Sequence, residues 1–214
     1  GARVFTPKEL SQHKGDAPTL LLAVLGVVFD VTDGRKHYGE GGGYSFFAGR
    51  DASRAFVTGQ FDEEGLTDDV SGLSPEQMLG VSGWVNFFRN HESYREVGVA
   101  SGRFFGENGV PTAAHAAAMA GVAAGEAEKA AKEASNQVMP PCNSRWSSGS
   151  GGTVWCTANS GGITRDWAGL PRLLYEASAA QPRCVCVSDS DLDDPRLRVY
   201  DGCEPASASC AVPQ

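Results

Sequence analysis

The chain has 214 residues, 41% of them hydrophobic and 21% charged, the balance of a globular protein of one large domain or two small ones. Its formal net charge of -8 argues against a phosphate-backbone partner, which needs a basic patch, and gives no attraction to anionic lipid. The longest apolar run, Leu20 to Leu25, is far shorter than the roughly 20 residues that span a bilayer.

Gly1-Ala2-Arg3 leads directly into the domain with no visible signal peptide, as in a chain whose targeting segment has been removed or left out. Thr6-Pro7-Lys8-Glu9 reads as a helix start, with Thr6 as cap, Pro7 at the first helical position and Glu9 completing a capping box. Gly15-Asp16-Ala17-Pro18 ends that helix. Thr19 to Thr32 is rich in Val, Leu and Phe and predicts a strand pair with Gly26 at the turn or a bulge.

Lys36 to Arg54 follows, KHYGEGGGYSFFAGRDASR. Four of the five residues from Gly39 to Gly43 are glycine, so this backbone can bend tightly and approach something closely. Tyr38 and Tyr44 flank the glycines, and the Phe46-Phe47 doublet comes next. Aromatic residues on such a loop can wall a flat apolar slot, and a phenolate is an axial ligand for haem iron. Asp51 to Val57 has helical spacing and Gly59 ends it. Asp62 to Asp69 reads as a solvated acidic connector.

Ser74-Pro75-Glu76-Gln77 is a second capping box, opening a helix that runs towards His91 with Met78, Val81, Val85 and Phe88 on one face and Trp84 beside it. Tyr94 to Val99 reads as a short strand. Ala113 to Gln137 is dominated by alanine and predicts a connecting helix, stopped by Met139-Pro140-Pro141. All six cysteines (Cys142, Cys156, Cys184, Cys186, Cys203 and Cys210) lie beyond it. An even number in a loop-rich tail reads as a disulfide framework and so as an oxidising compartment; sequence leaves 15 pairings open. If Cys184 and Cys186 lie on a strand they face opposite sides and reach different partners. A zinc site is the competing reading, but no C-x-x-C spacing is present. Nor is there a G-x-S-x-G elbow or a nucleophile-base pattern for a hydrolase.

The run Y-G-x-x-G-x-Y-x-x-F-A-G-R-D-A-S-R, Tyr38 to Arg54, resembles the haem-binding signature of the membrane-associated progesterone receptor family, a branch of the cytochrome b5-like fold. Gly26 to Thr32 is similar to that family's entry strand. The tail patterns P-C-N-x-x-W, V-W-C and C-V-C-V resemble one cysteine-rich branch of the family. Glu40 stands where relatives usually carry proline, and Ser93 where they often carry a lysine.

The resemblance implies an α+β fold: a cytochrome b5-like haem-binding domain over residues 1–111, a helical linker over 112–139, and a small disulfide-rich domain over 140–214. It implies ferric haem b as cofactor, with Tyr44 as the metal ligand and Tyr38, Phe46 and Tyr94 lining the slot. Of Phe46 and Phe47, one is expected to face the pocket and one the core. The competing reading of each tyrosine is packing. Tyr38 takes the place of a histidine ligand in b5-type cytochromes, and no histidine pair is expected on the pocket walls, His13, His37, His91 and His115 reading as surface or packing residues. Arg50, Asp51 and Arg54 read either as propionate recognition or, preferred, as an internal ion pair that fixes a helix start.

The function implied is that of a secreted haem-binding protein, not an enzyme, with an extracellular signalling role in neuronal differentiation. Extracellular space or endomembrane lumen is the expected location. Candidate partners are haem, a cell-surface receptor and a second copy of the chain. The alternatives are a b5-type electron-transfer module, a steroid-binding module, and a disulfide-rich interaction module with a vestigial haem pocket.

Overall fold

The structure, a computed structural model, describes residues 2–213 and divides into two compact units, Gly1–Lys129 and Ala130–Gln214. The first opens with β1 (Val4–Phe5) and α1 (Pro7–Leu10). The Thr6 hydroxyl accepts the Glu9 N–H at 3.1 Å, and Pro7 takes the first helical position. The expected capping box is only half made, because the Glu9 carboxylate pairs with the Arg3 guanidinium instead. The helix stops after one turn, at Ser11, well before Gly15.

β2 (Leu21–Val24) and β3 (Val27–Asp30) form the predicted hairpin, turning through Leu25 and Gly26. Both turn residues have positive φ, 48° and 76°, as two-residue hairpin turns that follow strand twist require. Glycine suits that geometry and leucine does not, so the turn needs support from outside the hairpin. Asp51 and Ser53 supply it. Leu25 N–H donates to the Ser53 hydroxyl at 2.7 Å, and Gly26 N–H to the Asp51 carboxylate at 2.7 Å.

Two single-turn helices, α2 (Arg35–Tyr38) and α3 (Ala55–Thr58), come next. The helix predicted from Asp51 begins only at Ala55, because the residues before it are zipped onto β2. Gly49 N–H donates to Leu21 O at 2.7 Å, Ala23 N–H to Arg50 O at 3.0 Å, and Ala23 bridges Asp51 in parallel. Gly59 ends α3 with φ of 68°, as predicted. α4 (Pro75–Asn90) carries the complete capping box, Ser74 and Gln77 each bonding the other's backbone N–H, and buries Met78, Val81, Val85 and Phe88. β4 (Arg95–Ala100) then pairs antiparallel with β3 and parallel with β1, giving the sheet order β1-β4-β3-β2.

The stripe of α4 packs on Leu20, Leu22, Phe29 and Val31, with Phe88 stacked on Phe29 at 5.5 Å. Burial of each such side chain contributes roughly 1.5–3 kcal/mol. α5 (Ala113–Val138) buries Ala118, Val122 and Gly125. Its small residues have a packing purpose that composition alone did not show. At Gly121 a β-carbon would crowd Met78, and at Gly125 it would overlap the Pro75 carbonyl.

The second unit contains β5 (Asn143–Ser147), β6 (Gly151–Trp155), β7 (Leu170–Leu174), β8 (Arg183–Val187), β9 (Leu197–Arg198) and β10 (Ser209–Val212). They form two antiparallel sheets, β10-β6-β5 and β8-β7-β9. The disulfides are Cys142–Cys184, Cys156–Cys186 and Cys203–Cys210. Cys184 and Cys186 do reach different partners, but not by facing opposite sides: two apart on β8 they share a face, and each meets a different cysteine of the preceding segments. The apolar core here is small, built on Met139, Leu174, Val185, Val187 and Leu197, which is why cross-links carry so much of the unit.

Candidate functional site

The glycine loop folds back on the helix before it. Gly39 N–H donates to Arg35 O at 2.8 Å, and Tyr44 N–H to His37 O at 2.9 Å. Gly41 is left-handed, with φ of 76°, and at Gly42 a β-carbon would overlap the His37 carbonyl. The loop therefore needs glycine at both places, and the result is to bring Tyr44 back beside Tyr38. A 3-10 turn over Ser45–Phe47 follows Tyr44.

The two tyrosines line an apolar cavity of about 420 Å³, within the usual range for small-molecule sites. Tyr94 closes one wall, its ring 6.2 Å from that of Tyr38 and edge-on to it. Phe47 and Phe56, stacked at 4.1 Å, form another wall, and Phe61 stands near them. Trp84, Phe87 and His91 project from α4 and its C-terminal cap. Tyr38 and Tyr94 are 7% and 9% exposed, whereas Tyr44 is 51% exposed. Burial pushes the Tyr38 phenol above its ordinary pKa, with Tyr94 and Tyr44 adding to the effect. Tyr94 is pushed up too, by burial first and then by Asp33. At neutral pH these two are neutral hydrogen-bond donors.

Three expectations are corrected. Phe46 does not line the cavity; Phe47 does. The 3-10 turn sends the two rings in different directions, leaving Phe47 inside and Phe46 half-buried against Phe61 at 4.5 Å. Second, two histidines do stand on the walls, His37 and His91. His91 stacks on Tyr94 at 3.8 Å, and its Nδ1 accepts the Ser93 N–H at 3.1 Å. With Nδ1 accepting, a neutral ring carries its proton on Nε2 and presents a donor there.

Third, Arg50, Asp51 and Arg54 neither reach this cavity nor pair with one another. Arg54 donates to the Asp69 and Ser71 carbonyls at 3.1 and 2.9 Å. Arg50 and Asp51 line a separate cavity of about 220 Å³. Asp51 is a clasp for the hairpin turn, accepting from Gly26 N–H on one oxygen and from the Ser53 N–H and hydroxyl on the other. Burial raises its pKa to about 6 against the opposing pull of those bonds.

Sequence reasoning also passed over Trp84, Phe87 and His91 as one set. Their spacing of i, i+3 and i+7 carried the signal, since it places them on a common helix face next to the core stripe.

Comparison with known proteins falls on the same segment. The family model Cyt-b5, described as "Cytochrome b5-like Heme/Steroid binding domain", matches residues 6–97. Neuferricin from Homo sapiens is 45% identical over 232 residues, covering 100% of this chain and 87% of its own. Neuferricin from Danio rerio is 45% identical over 214 residues, covering 98% and 79%. Membrane-associated progesterone-binding protein 4 from Arabidopsis thaliana is 38% identical over 218 residues, covering 98% and 84%. These matches run through the second unit, past the end of the domain model.

Proposed function

The chain belongs to the neuferricin family, a haem-binding group built on a cytochrome b5-like domain, and on that premise we propose that Tyr44 ligates ferric haem b in the aromatic cavity of a secreted or lumenal protein. The observation that carries this is the convergence of Tyr38, Tyr44 and Tyr94 on one apolar cavity inside the matched segment. The donor set fits the group. Aromatic walls suit a flat macrocycle, and a hard phenolate oxygen suits ferric iron. When bound, haem supplies a Lewis-acidic iron centre.

The chain's own residues divide the work. Tyr44, half exposed on the cavity wall, would offer its phenolate oxygen to the iron. Tyr38 and Tyr94, whose burial resists ionisation, stay neutral and act as walls and donors. Trp84 and Phe87 keep water from the apolar side. His91 contributes an Nε2–H donor, which argues for tyrosinate over bis-histidine ligation and so against b5-type electron transfer. The protein acts as a binding protein and not an enzyme.

Three disulfides support an oxidising location, extracellular or within the endomembrane lumen. Among the described residues no helix is long and apolar enough to cross a membrane. The signalling role in neuronal differentiation follows from the family resemblance, and a cell-surface receptor is the partner it calls for.

Titration with ferric haem, followed by absorption, tests the reading on the intact chain and on Tyr44→Phe. A high-spin ferric spectrum with a charge-transfer band, lost in the variant, is expected. A low-spin six-coordinate spectrum untouched by the substitution would overturn Tyr44 as ligand, and absence of binding to the intact chain would overturn the cavity as a haem site.

A further inference from the structure

Cys142 stands opposite two other cysteines at once. On one side Pro141 bridges Val185, and the Cys142 N–H donates to the Cys184 carbonyl at 3.2 Å, beside its disulfide partner. On the other side β5 and β6 pair Asn143 with Trp155. One more step of that register brings Cys142 opposite Cys156, whose own partner is Cys186. The sulfur positions agree: the Sγ atoms of Cys142, Cys156 and Cys186 all lie within 4.8 Å of one another, a group that Cys184 does not share. Residues directly opposed on antiparallel strands have Cα atoms about 4.5–5.5 Å apart, inside the span that a disulfide bridges.

We propose that Cys142 is an exchange thiol, and that opening its bond to Cys184 carries the unit into a second disulfide arrangement, Cys142–Cys156, leaving Cys184 and Cys186 as thiols. Accessibility sets the order of events. Cys142 and Cys184 are half-buried, whereas Cys156 and Cys186 are buried, so a reductant meets the first bond and not the second.

The reductant is an external dithiol. Its first thiolate attacks Cys184 Sγ, forming a mixed disulfide and expelling the Cys142 thiolate. Its second thiolate attacks the mixed disulfide, freeing Cys184 and leaving the reductant as a disulfide. The protein has gained two electrons and the reductant has lost two. The Cys142 thiolate then attacks Cys156 Sγ. A Cys142–Cys156 bond forms, the Cys156–Cys186 bond breaks, and the electron pair leaves on Cys186, which takes a proton from solvent. This last step exchanges no electrons with the surroundings. Cys184 and Cys186 are left as two thiols, and closing them on each other would take an oxidant that this step does not supply. The buried disulfide is thus opened from within, by a thiol that only the half-buried one can release.

Two variants of the full chain test this by thiol labelling under acid quench and peptide mass mapping without reduction. Cys184→Ser is expected to show a Cys142–Cys156 linkage with the label on Cys186. Cys142→Ser is expected to keep Cys156–Cys186, with the label on Cys184. Retention of Cys156–Cys186 in Cys184→Ser, with the label on Cys142, would overturn the proposal, as would equal scrambling in both variants. If Cys184→Ser fails to fold, the unmodified chain treated with a limiting dithiol decides. Labels on Cys184 and Cys186 support the exchange, and labels on Cys142 and Cys184 with Cys156–Cys186 intact refute it.

Discussion

Gly34 and Tyr94 are fitted to each other: the Tyr94 phenol lies so close to Gly34 that an added β-carbon would overlap its oxygen and stand 3.0 Å from its ring. Gly34 has φ of -90°, which any residue adopts, so only space demands glycine here. Gly34→Ala is expected to push Tyr94 off the cavity wall, costing about 1–3 kcal/mol of stability in denaturant melts and weakening ferric haem binding about tenfold. Gly43→Ala is the control, since nothing lies within 4 Å of its β-carbon position. Equal losses in the two variants would show that the fit to Tyr94 is not what matters.

The cavity's phenols and histidine are separable by spectrum. Tyr38→Phe and His91→Ala are expected to keep the ferric high-spin spectrum of the intact chain, with affinity reduced by about tenfold at most, on the order of 1.4 kcal/mol. The argument rests on burial for Tyr38, which resists ionisation, and on the Ser93 N–H for His91, which fixes the proton on Nε2. A switch between low-spin and high-spin spectra on His91→Ala would make that histidine a ligand and the tautomer argument wrong.

Asp51 gives stability a pH dependence of unusual sign for a carboxylate. Its folded pKa, about 6, lies above the ordinary value of 3.8, so the folded chain holds this proton more tightly than the unfolded chain does. The associated stability is fully present below pH 3.8 and is lost as pH rises through about 6, a change on the order of 3 kcal/mol. In Asp51→Asn this component is absent, and the amide keeps a single acceptor oxygen, so its NH2 must face the N–H of either Gly26 or Ser53. The variant is therefore expected to be less stable than the intact chain at pH 4, with the gap narrowing towards pH 7. Denaturant melts across that range check it, and a gap independent of pH would refute it.

The parts of this fold that local chemistry determines were legible in the sequence. The Leu25-Gly26 turn, the Ser74 capping box, the buried face of α4 and the glycine-flanked tyrosines each depend on neighbours a few residues away. The parts that failed depend on distant partners. Asp51 looked like the start of a helix, but its hydrogen bonds go to a hairpin turn some 25 residues earlier. Phe46 and Phe47 could not be told apart without the direction of the turn they share. His37 and His91 reach one cavity only because α2 and the end of α4 meet there, and the disulfide pairing required strand register. The second aromatic face of α4 was readable from spacing, yet a half-exposed stripe beside a buried one passes for ordinary surface.

Two helix glycines separate propensity from packing. In α4, Gly83 is exposed with nothing within 4 Å of its β-carbon position, so Gly83→Ala is expected to stabilise by up to about 1 kcal/mol, the difference in helix propensity. In α5, Gly125 lies where a β-carbon would overlap the Pro75 carbonyl and stand 2.9 Å from the Leu79 β-carbon. The same propensity gain is there opposed by a clash with backbone, which cannot rotate away as a side chain can. Gly125→Ala is expected to destabilise by about 1–3 kcal/mol, read from the unfolding midpoint of each variant. The contrast bears on what the alanine-rich helix is for. If both substitutions stabilise, α5 does not lean on the first turn of α4 and is a spacer; if only Gly83→Ala does, its small-residue stripe is part of the first unit's core.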